Sequence, residues 1–283
     1  MLSQLLGSIP PQTFLDDYFY KLPLAMAGGC RHLVQLGSWQ TVLELLAHPE
    51  VDVLVGRDGQ SRPGDTPRPD QARELLAEGY TIGIRHAERH HSGLAALAAE
   101  FHAEFAAPVD VHLYVTPAAR AGFGWHYDAE DVFILQTLGS KVWSLRKNTV
   151  NPWPLVETTP ADMRYRAESM PLLRCQLAAG DWLYIPNGYW HSTQAGEESI
   201  SLSVGLTSPT ALDLCDALRS RLLDSLRWRQ RLPLAGSIDQ RDEAEQLQQL
   251  QQIAADLSQD LARQLLSEEF LTGWLHDHRG PIA

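Results

Sequence analysis

The chain has 283 residues, 44% of them hydrophobic and 20% charged, with a formal net charge of −12. That length allows one large or two modest domains with a proper core, and the acidic balance excludes a general nucleic-acid binder, which needs a basic footprint. No apolar run approaches the roughly 18 residues needed to cross a bilayer, and the N-terminus has neither the basic start nor the long apolar run of a secretory leader.

Residues 1–20 read as a short helical or extended lead-in, broken at Pro10-Pro11. Residues 39–47 (WQTVLELLA) carry apolar side chains at helical spacing, and 51–55 (VDVLV) alternate as a strand does. Residues 57–70, rich in Gly, Pro, Asp and Arg, read as a long solvated loop. A short helix over 71–79 and a strand over 80–84 follow. His86, His90 and His91 come next. On a helix the first two would share a face and suit a metal, but no third ligand of obvious geometry accompanies them, so a polar loop or helix start is expected. Residues 93–105 make an Ala-rich amphipathic helix, with His102 packed or at the surface. Residues 109–115 (VDVHLYV) alternate, which puts Asp110, His112 and Tyr114 on one face.

The stretch 121–145, AGFGWHYDAEDVFILQTLGSKVWSL, holds most of the chemistry. His126 and Asp128 are two residues apart, so on a strand they point the same way. A strand over 132–136, a turn at 138–140 and a second strand over 141–145 bring Lys141 one connection away. Residues 151–170, with three prolines, read as an irregular excursion. Then 182–185 form a strand, Asn187-Gly188 predicts a hairpin turn, and 189–193 return with His191. Residues 199–204 (SISLSV) alternate strictly, with serines on one face and aliphatics on the other. Many short strands with turn signals at this spacing favour a closed or sandwiched antiparallel sheet. After Pro209 the composition becomes helical over 211–231 and 239–274, broken near Pro233–Ser237, with apolar stripes that suit a core or a homodimer interface. Three scattered cysteines, Cys30, Cys175 and Cys215, have no zinc-type spacing and fit buried thiols in a reducing compartment, so a cytoplasmic location is expected.

Two imidazoles and one carboxylate (His126, Asp128, His191) can occupy one face of an octahedral metal and leave up to three positions open, the pattern of non-haem Fe(II) oxygenases. The spacing alone is weak in a chain with eleven histidines. Its neighbours sharpen it. GFGWHYDAEDVFILQTLGSKVW, then GDWLYIPNGYWHSTQ and SISLSVG, resemble the JmjC-type ribosomal oxygenases, most strongly over residues 109–207. The resemblance implies a mainly β fold with helices: a double-stranded β-helix (cupin or jelly-roll) over 1–208 with N-terminal helices, and a helical extension over 209–283. It implies Fe(II), 2-oxoglutarate as co-substrate and O2. It places His126, Asp128 and His191 on the iron ligands, Lys141 on the distal carboxylate of 2-oxoglutarate, and Tyr114, Ser201 and Ser203 on the co-substrate side. It further implies hydroxylation of a protein or peptide side chain, with a basic ribosomal protein among the candidates, no direct nucleic-acid or membrane partner, and release of succinate and CO2. His112 stands where some relatives have asparagine, and Trp125 is unusually large for its position.

Charge counting agrees with that assignment. Fe(II), one aspartate, a dicarboxylate and one lysine sum to zero, whereas an unpaired lysine in a dry barrel is costly. Phe133, Leu135, Trp143 and Tyr184 are expected in the barrel core, and Trp125 and Trp190 are expected to face away from the ligands. Two other readings use the same residues. One is a cupin isomerase or hydrolase with Zn or Mn, in which Lys141 holds a small anionic substrate. The other is a non-catalytic binding module.

Overall fold

The proline pair near the N-terminus starts a helix as well as ending one. In the computed structural model, α1 (Leu2–Leu6) stops at Gly7, and α2 (Pro11–Asp17) has Pro11 in its first turn, where the missing N–H would be unsatisfied anyway. The described residues are 1–57, 60–62, 66–120, 122–159, 170–233 and 241–279. A three-residue strand, β1 (Leu24–Met26), has no sequence signal of its own. Helix α3 (Trp39–Leu46) is capped by Ser38, whose hydroxyl accepts from Thr41 N–H, and it buries Val42, Leu45 and Leu46.

Strand β2 (Asp52–Arg57) pairs with the two-residue β3 (Gln60–Ser61) inside the segment expected as plain loop; residues 58–59 and 63–65 of it lie outside the described residues. Helix α4 (Ala72–Ala77) and strand β4 (Thr81–Arg85) follow. His86 then takes a left-handed conformation, and a single 3-10 turn over Ala87–Arg89 leads to α5 (Ser92–Phe105). His86 and His90 therefore share no helix face, as the loop reading expected.

The remaining strands are β5 (Val109–Thr116), β6 (Asp131–Leu138), β7 (Ser140–Arg146), β8 (Leu173–Ala178), β9 (Trp182–Ile185), β10 (Trp190–Ala195) and β11 (Ser199–Leu206). They form two antiparallel sheets, ordered β1-β9-β6-β11-β5-β4-β2-β3 and β10-β7-β8. The chain alternates between them: β6 and β7 are adjacent in sequence yet in different sheets, and so are β9 and β10. This is the double-stranded β-helix winding. It corrects one expectation, because Asn187-Gly188 is an arch between sheets and not a hairpin turn. A glycine at φ 76 supplies the same backbone freedom to either connection, so the dipeptide signals a bend without naming partner strands. Of the excursion 151–170, residues 160–169 lie outside the described residues.

Strand alternation sorts the large sheet into two faces. Val111, Leu113, Phe133, Leu135, Tyr184, Ile200, Leu202 and Val204 point outward into one core with the N-terminal helices. Phe133, Leu135 and Tyr184 are thus core residues, but behind the sheet and not inside the barrel. The inner face meets Trp143, Leu145 and Leu177 of the small sheet through Val132, Ile134 and Leu183. Asp110, His112, Tyr114, Ser201 and Ser203 share that inner face by the same alternation.

Met1–Ser208 forms one compact unit and Pro209–Ala283 another. In the second, α6 (Ala211–Leu222) carries a capping box between Thr210 and Asp213. It ends earlier than its helical composition suggests. After it come α7 (Glu243–Leu265) and α8 (Glu268–Arg279), so the run expected over 239–274 is split at Leu266-Ser267. Residues 234–240, which include most of the expected break, lie outside the described residues. Among the described residues no helix is long and apolar enough to cross a membrane.

Candidate metal centre

His126 and Asp128 are not on a regular strand. Residues 122–130 run irregularly and are tied to β10 by Gly122 N–H, which donates to Thr193 O (3.3 Å), and by one isolated bridge, in which His126 N–H donates to His191 O (3.0 Å) and His191 N–H donates to His126 O (2.8 Å). Gly188 N–H also donates to Asp128 O at 2.9 Å. These backbone bonds bring three side chains together. The imidazole centroids are 4.2 Å apart, His191 Nε2 lies 3.4 Å from Asp128 Oδ2, and the ligand-type atoms of all three lie within 4.8 Å of one another.

The donor set fits a divalent metal. His126 Nδ1 faces Gly124 O and His191 Nδ1 faces Tyr189 O, each at 3.0 Å. A carbonyl only accepts, so each Nδ1 carries the proton and each Nε2 keeps a lone pair free for coordination. Burial, followed by the adjacent His126 imidazole, holds His191 well below the usual histidine range, which keeps it neutral. Neutral imidazoles with one carboxylate suit Fe(II) and its first-row neighbours.

Lys141 is 2% exposed and its Nζ donates to Ser201 Oγ at 2.9 Å. Strand β7 is the middle strand of its sheet, so the lysine has no edge over which to snorkel. Burial pushes its pKa down to about 7. An inner cavity joins Lys141 to the three candidate ligands, with Tyr114, Ser201 and Ser203 in its wall. The seven residues singled out from sequence therefore converge. Burial, with Asp128 and Glu130 adding to it, keeps the Tyr114 phenol protonated well above its ordinary range.

Of the wall residues to which sequence reasoning gave no site role, two carry buried polar atoms without a partner among the described residues. Trp143, expected only as core, is 5% exposed with a buried indole N–H that has no hydrogen-bond partner among the described residues; the same is true of Thr193 Oγ1. They face each other across the β10–β7 ladder, one pair from His191↔Leu145 on one side and Ala195↔Lys141 on the other, counting along the inward face. Two orphaned buried polar atoms between the metal ligands and the lysine fit an oxygen-rich ligand bridging them. Thr193 was legible in principle, since it lies two residues after His191 on the same strand face.

A second opening, a groove of about 490 Å³, adjoins the first and shares His126 and Asp128 with it; His112, Tyr127, Glu130, Val132 and Ser203 also line it. Burial, then Asp128 and Asp110, push Glu130 up to about 7. His112 Nδ1 accepts from His86 N–H at 3.1 Å, which leaves its proton on Nε2. Burial, then His86, lowers its pKa. His86, Glu88 and Asp110 also gather within 4.8 Å, but these engage one another or the backbone: His86 Nδ1 bonds Asp110 Oδ1 at 2.8 Å and Glu88 accepts from Val111 N–H at 2.8 Å. Trp190 packs edge-on against Tyr127 at 4.8 Å, in line with the packing role expected of it.

The comparisons with known proteins agree with this geometry. The JmjC domain family matches residues 90–214. The chain is 26% identical over 251 residues to a bifunctional lysine-specific demethylase and histidyl-hydroxylase NO66 of Drosophila grimshawi, covering 81% of this chain and 35% of that protein. It is 30% identical over 138 residues to ribosomal oxygenase 1 of Gallus gallus, covering 46% of this chain and 23% of that protein. The chain thus spans about a third or less of the length of these curated relatives. Among solved structures, YcfD, a ribosomal oxygenase from Escherichia coli, superposes with a TM-score of 0.63 at 20% identity, over 95% of this chain and 69% of that one. The sheet order and the matched domain agree: residues 90–214 match the JmjC domain, and the chain is similar in sequence and fold to ribosomal oxygenases.

Proposed function

We propose that the protein is an Fe(II)- and 2-oxoglutarate-dependent oxygenase that hydroxylates a side chain of a protein or peptide and releases succinate and CO2. The observation that carries this reading is the pairing of a buried lysine with three clustered candidate metal ligands in one cavity. Relatives support it by name: NO66 is a histidyl-hydroxylase, and YcfD has been solved in complex with cobalt and 2-oxoglutarate. A ribosomal protein is the candidate substrate class by that kinship alone.

In this reading His126, Asp128 and His191 hold the metal, which supplies the oxidising chemistry once oxygen and co-substrate are bound. The rest is the protein's share. Lys141, steadied by Ser201, receives the far carboxylate of 2-oxoglutarate and balances its charge. Trp143 Nε1–H and Thr193 Oγ1–H, which have no hydrogen-bond partner among the described residues, are donors along the way. Val132, Ile134 and Phe123 give the cavity apolar walls, which exclude water and strengthen the charge pairing inside.

The test is succinate formation from 2-oxoglutarate with Fe(II), ascorbate and air, with mass spectrometry for one added oxygen in candidate peptides. Absence of succinate together with absence of 2-oxoglutarate binding would favour the isomerase or hydrolase reading, in which the same lysine holds a small anion. Asp128→Ala is expected to abolish both metal retention and turnover. If that variant left cellular function intact, the binding-module reading would gain instead.

A further inference from the structure

A separate groove of about 580 Å³ runs between the segment after β7 and the turn after α2, and it shares no described lining residue with either compartment at the metal position. Tyr20, Lys21, Lys147, Asn148 and Trp153 line it, together with the Asn187-Gly188 arch. Its frame is built in. A Cβ on Gly188 would fall 2.8 Å from Pro152 O, so the missing side chain there lets the segment after β7 lie against the arch. Tyr189 O–H donates to Lys21 O at 3.0 Å, and Tyr20 N–H donates to Tyr184 Oη at 2.9 Å, which holds the opposite wall. Asn148 is 2% exposed, and its Oδ1 accepts from Val150 N–H (3.1 Å) and Asn151 N–H (2.9 Å). Those bonds fix its amide and leave Nδ2 buried with no hydrogen-bond partner among the described residues. Asn187 Oδ1 is buried without one too.

Charge, apolar surface and the two asparagines favour one kind of guest. The chain has a net charge of −12 and three lysines. Lys141 lies in the inner cavity, and the other two, Lys21 and Lys147, are exposed in this groove. Neither forms an ion pair among the described residues, and Lys21 Nζ donates only to the backbone carbonyl of Asp16. No carboxylate is among the described lining. Trp153 is 82% exposed between Pro152 and Pro154, and Tyr20 is 54% exposed. The prolines restrict the backbone on both sides, so the indole is presented with little chain entropy left to lose. The unpaired amide donor and unpaired amide acceptor match the C=O and N–H of a peptide unit.

We infer that this groove docks an acidic, apolar segment of a partner protein, with carboxylates at Lys21 and Lys147 and an apolar side chain or proline against Trp153. Single-stranded RNA also combines anions with flat rings. Its charge repeats at every nucleotide, however, and a chain of net charge −12 offers two lysines here and repels the rest. A peptide needs only two carboxylates, and it brings the backbone groups that the asparagines lack. The inference stands whether or not the oxygenase reading does.

The test is fluorescence anisotropy with the full chain and labelled short peptide pools. One pool is random in Asp, Glu, Leu, Pro and Trp. In the second, Asn and Gln replace Asp and Glu, which keeps shape and removes charge. The wild type is expected to bind the acidic pool about tenfold more tightly. Lys21→Met combined with Lys147→Met is expected to bring that ratio near one, since methionine keeps an apolar stem without the ammonium. Both lysines are exposed, so the double variant keeps its fold. Trp153→Ala is expected to weaken both pools alike, by about tenfold, with the ratio preserved. Equal binding of the two pools by the wild type overturns the inference, as does no binding of either at about 1 mM. An undiminished ratio in the double variant overturns it, and so does unchanged affinity in Trp153→Ala. Excess 2-oxoglutarate is expected to leave the preference intact; if it cancels it, the acidic pool reports Lys141 and the inference fails. A labelled oligouridylate that binds more tightly than the acidic pool, and is lost in the double variant, assigns the groove to RNA and overturns the peptide.

Discussion

Lys141 is held near neutrality by burial, with a serine hydroxyl as its hydrogen-bond partner. An entering dicarboxylate favours the charged ammonium and raises the pKa again. Below about pH 7 the lysine is already protonated, so this group adds no pH dependence to binding there. Above it, binding must take up a proton, and 2-oxoglutarate affinity is expected to fall by about tenfold per pH unit until the pKa of the complex is reached. Titration calorimetry of the Mn(II)-loaded protein in buffers of different ionisation enthalpy measures both the affinity and the proton uptake. A flat profile without uptake would remove the lysine from its role. Lys141→Ala should raise the 2-oxoglutarate requirement by well over tenfold while metal affinity changes little, because the charge lost lies at the far end of the co-substrate. Lys141→Arg should keep part of the activity, since the charge survives but the fork geometry differs. At this scale the sequence was most legible for residues whose types are scarce in a barrel interior. A lysine, a carboxylate and two histidines announce themselves. Trp143 and Thr193 do not, because tryptophan and threonine are ordinary strand residues, and only their orphaned polar atoms mark them.

Among the elements, the connections carry more information than the strands. Gly139 joins β6 to β7 at φ 65, and a Cβ there would fall 2.2 Å from Glu198 O. Both the conformation and the contact oppose a side chain, so Gly139→Ala should destabilise the protein by about 1–3 kcal/mol. Urea unfolding reads this as a lower midpoint at an unchanged slope; a loss of only a few tenths would mean that the joint relaxes freely. Most strands were legible because alternation survives wherever one face is apolar, as in residues 109–116 and 199–206. Strand β1 and the two-residue β3 were not, since three residues or fewer cannot display a period. The HxD segment failed differently. Its residues have the spacing of a strand, but their backbone pairs with β10 at a single bridge. That bridge was invisible because it joins positions 126 and 191.

At the scale of the molecule, the second unit, Pro209–Ala283, exposes several leucines, among them Leu212 (57%), Leu223 (56%), Leu226 (79%) and Leu266 (74%). Large apolar side chains left open on an otherwise polar set of helices suit association, and the full chain is expected to be a homodimer by light scattering at micromolar concentration. A strictly monomeric mass over that range would leave those leucines without an explanation. What the sequence determined by itself was local and chemical: the periodicities of strands and helices, the breakers between them, and the identity of the rare polar residues from which a metal centre and an anion anchor could be read. What only the tertiary structure decided was which strands share a sheet, that Asn187-Gly188 arches between the two sheets, and that Thr193 and Trp143 face each other between the candidate metal ligands and Lys141. Those facts depend on contacts between residues tens of positions apart. Neighbouring side chains fix a backbone's conformation, whereas pairing across a barrel is chosen by the burial of whole faces at once.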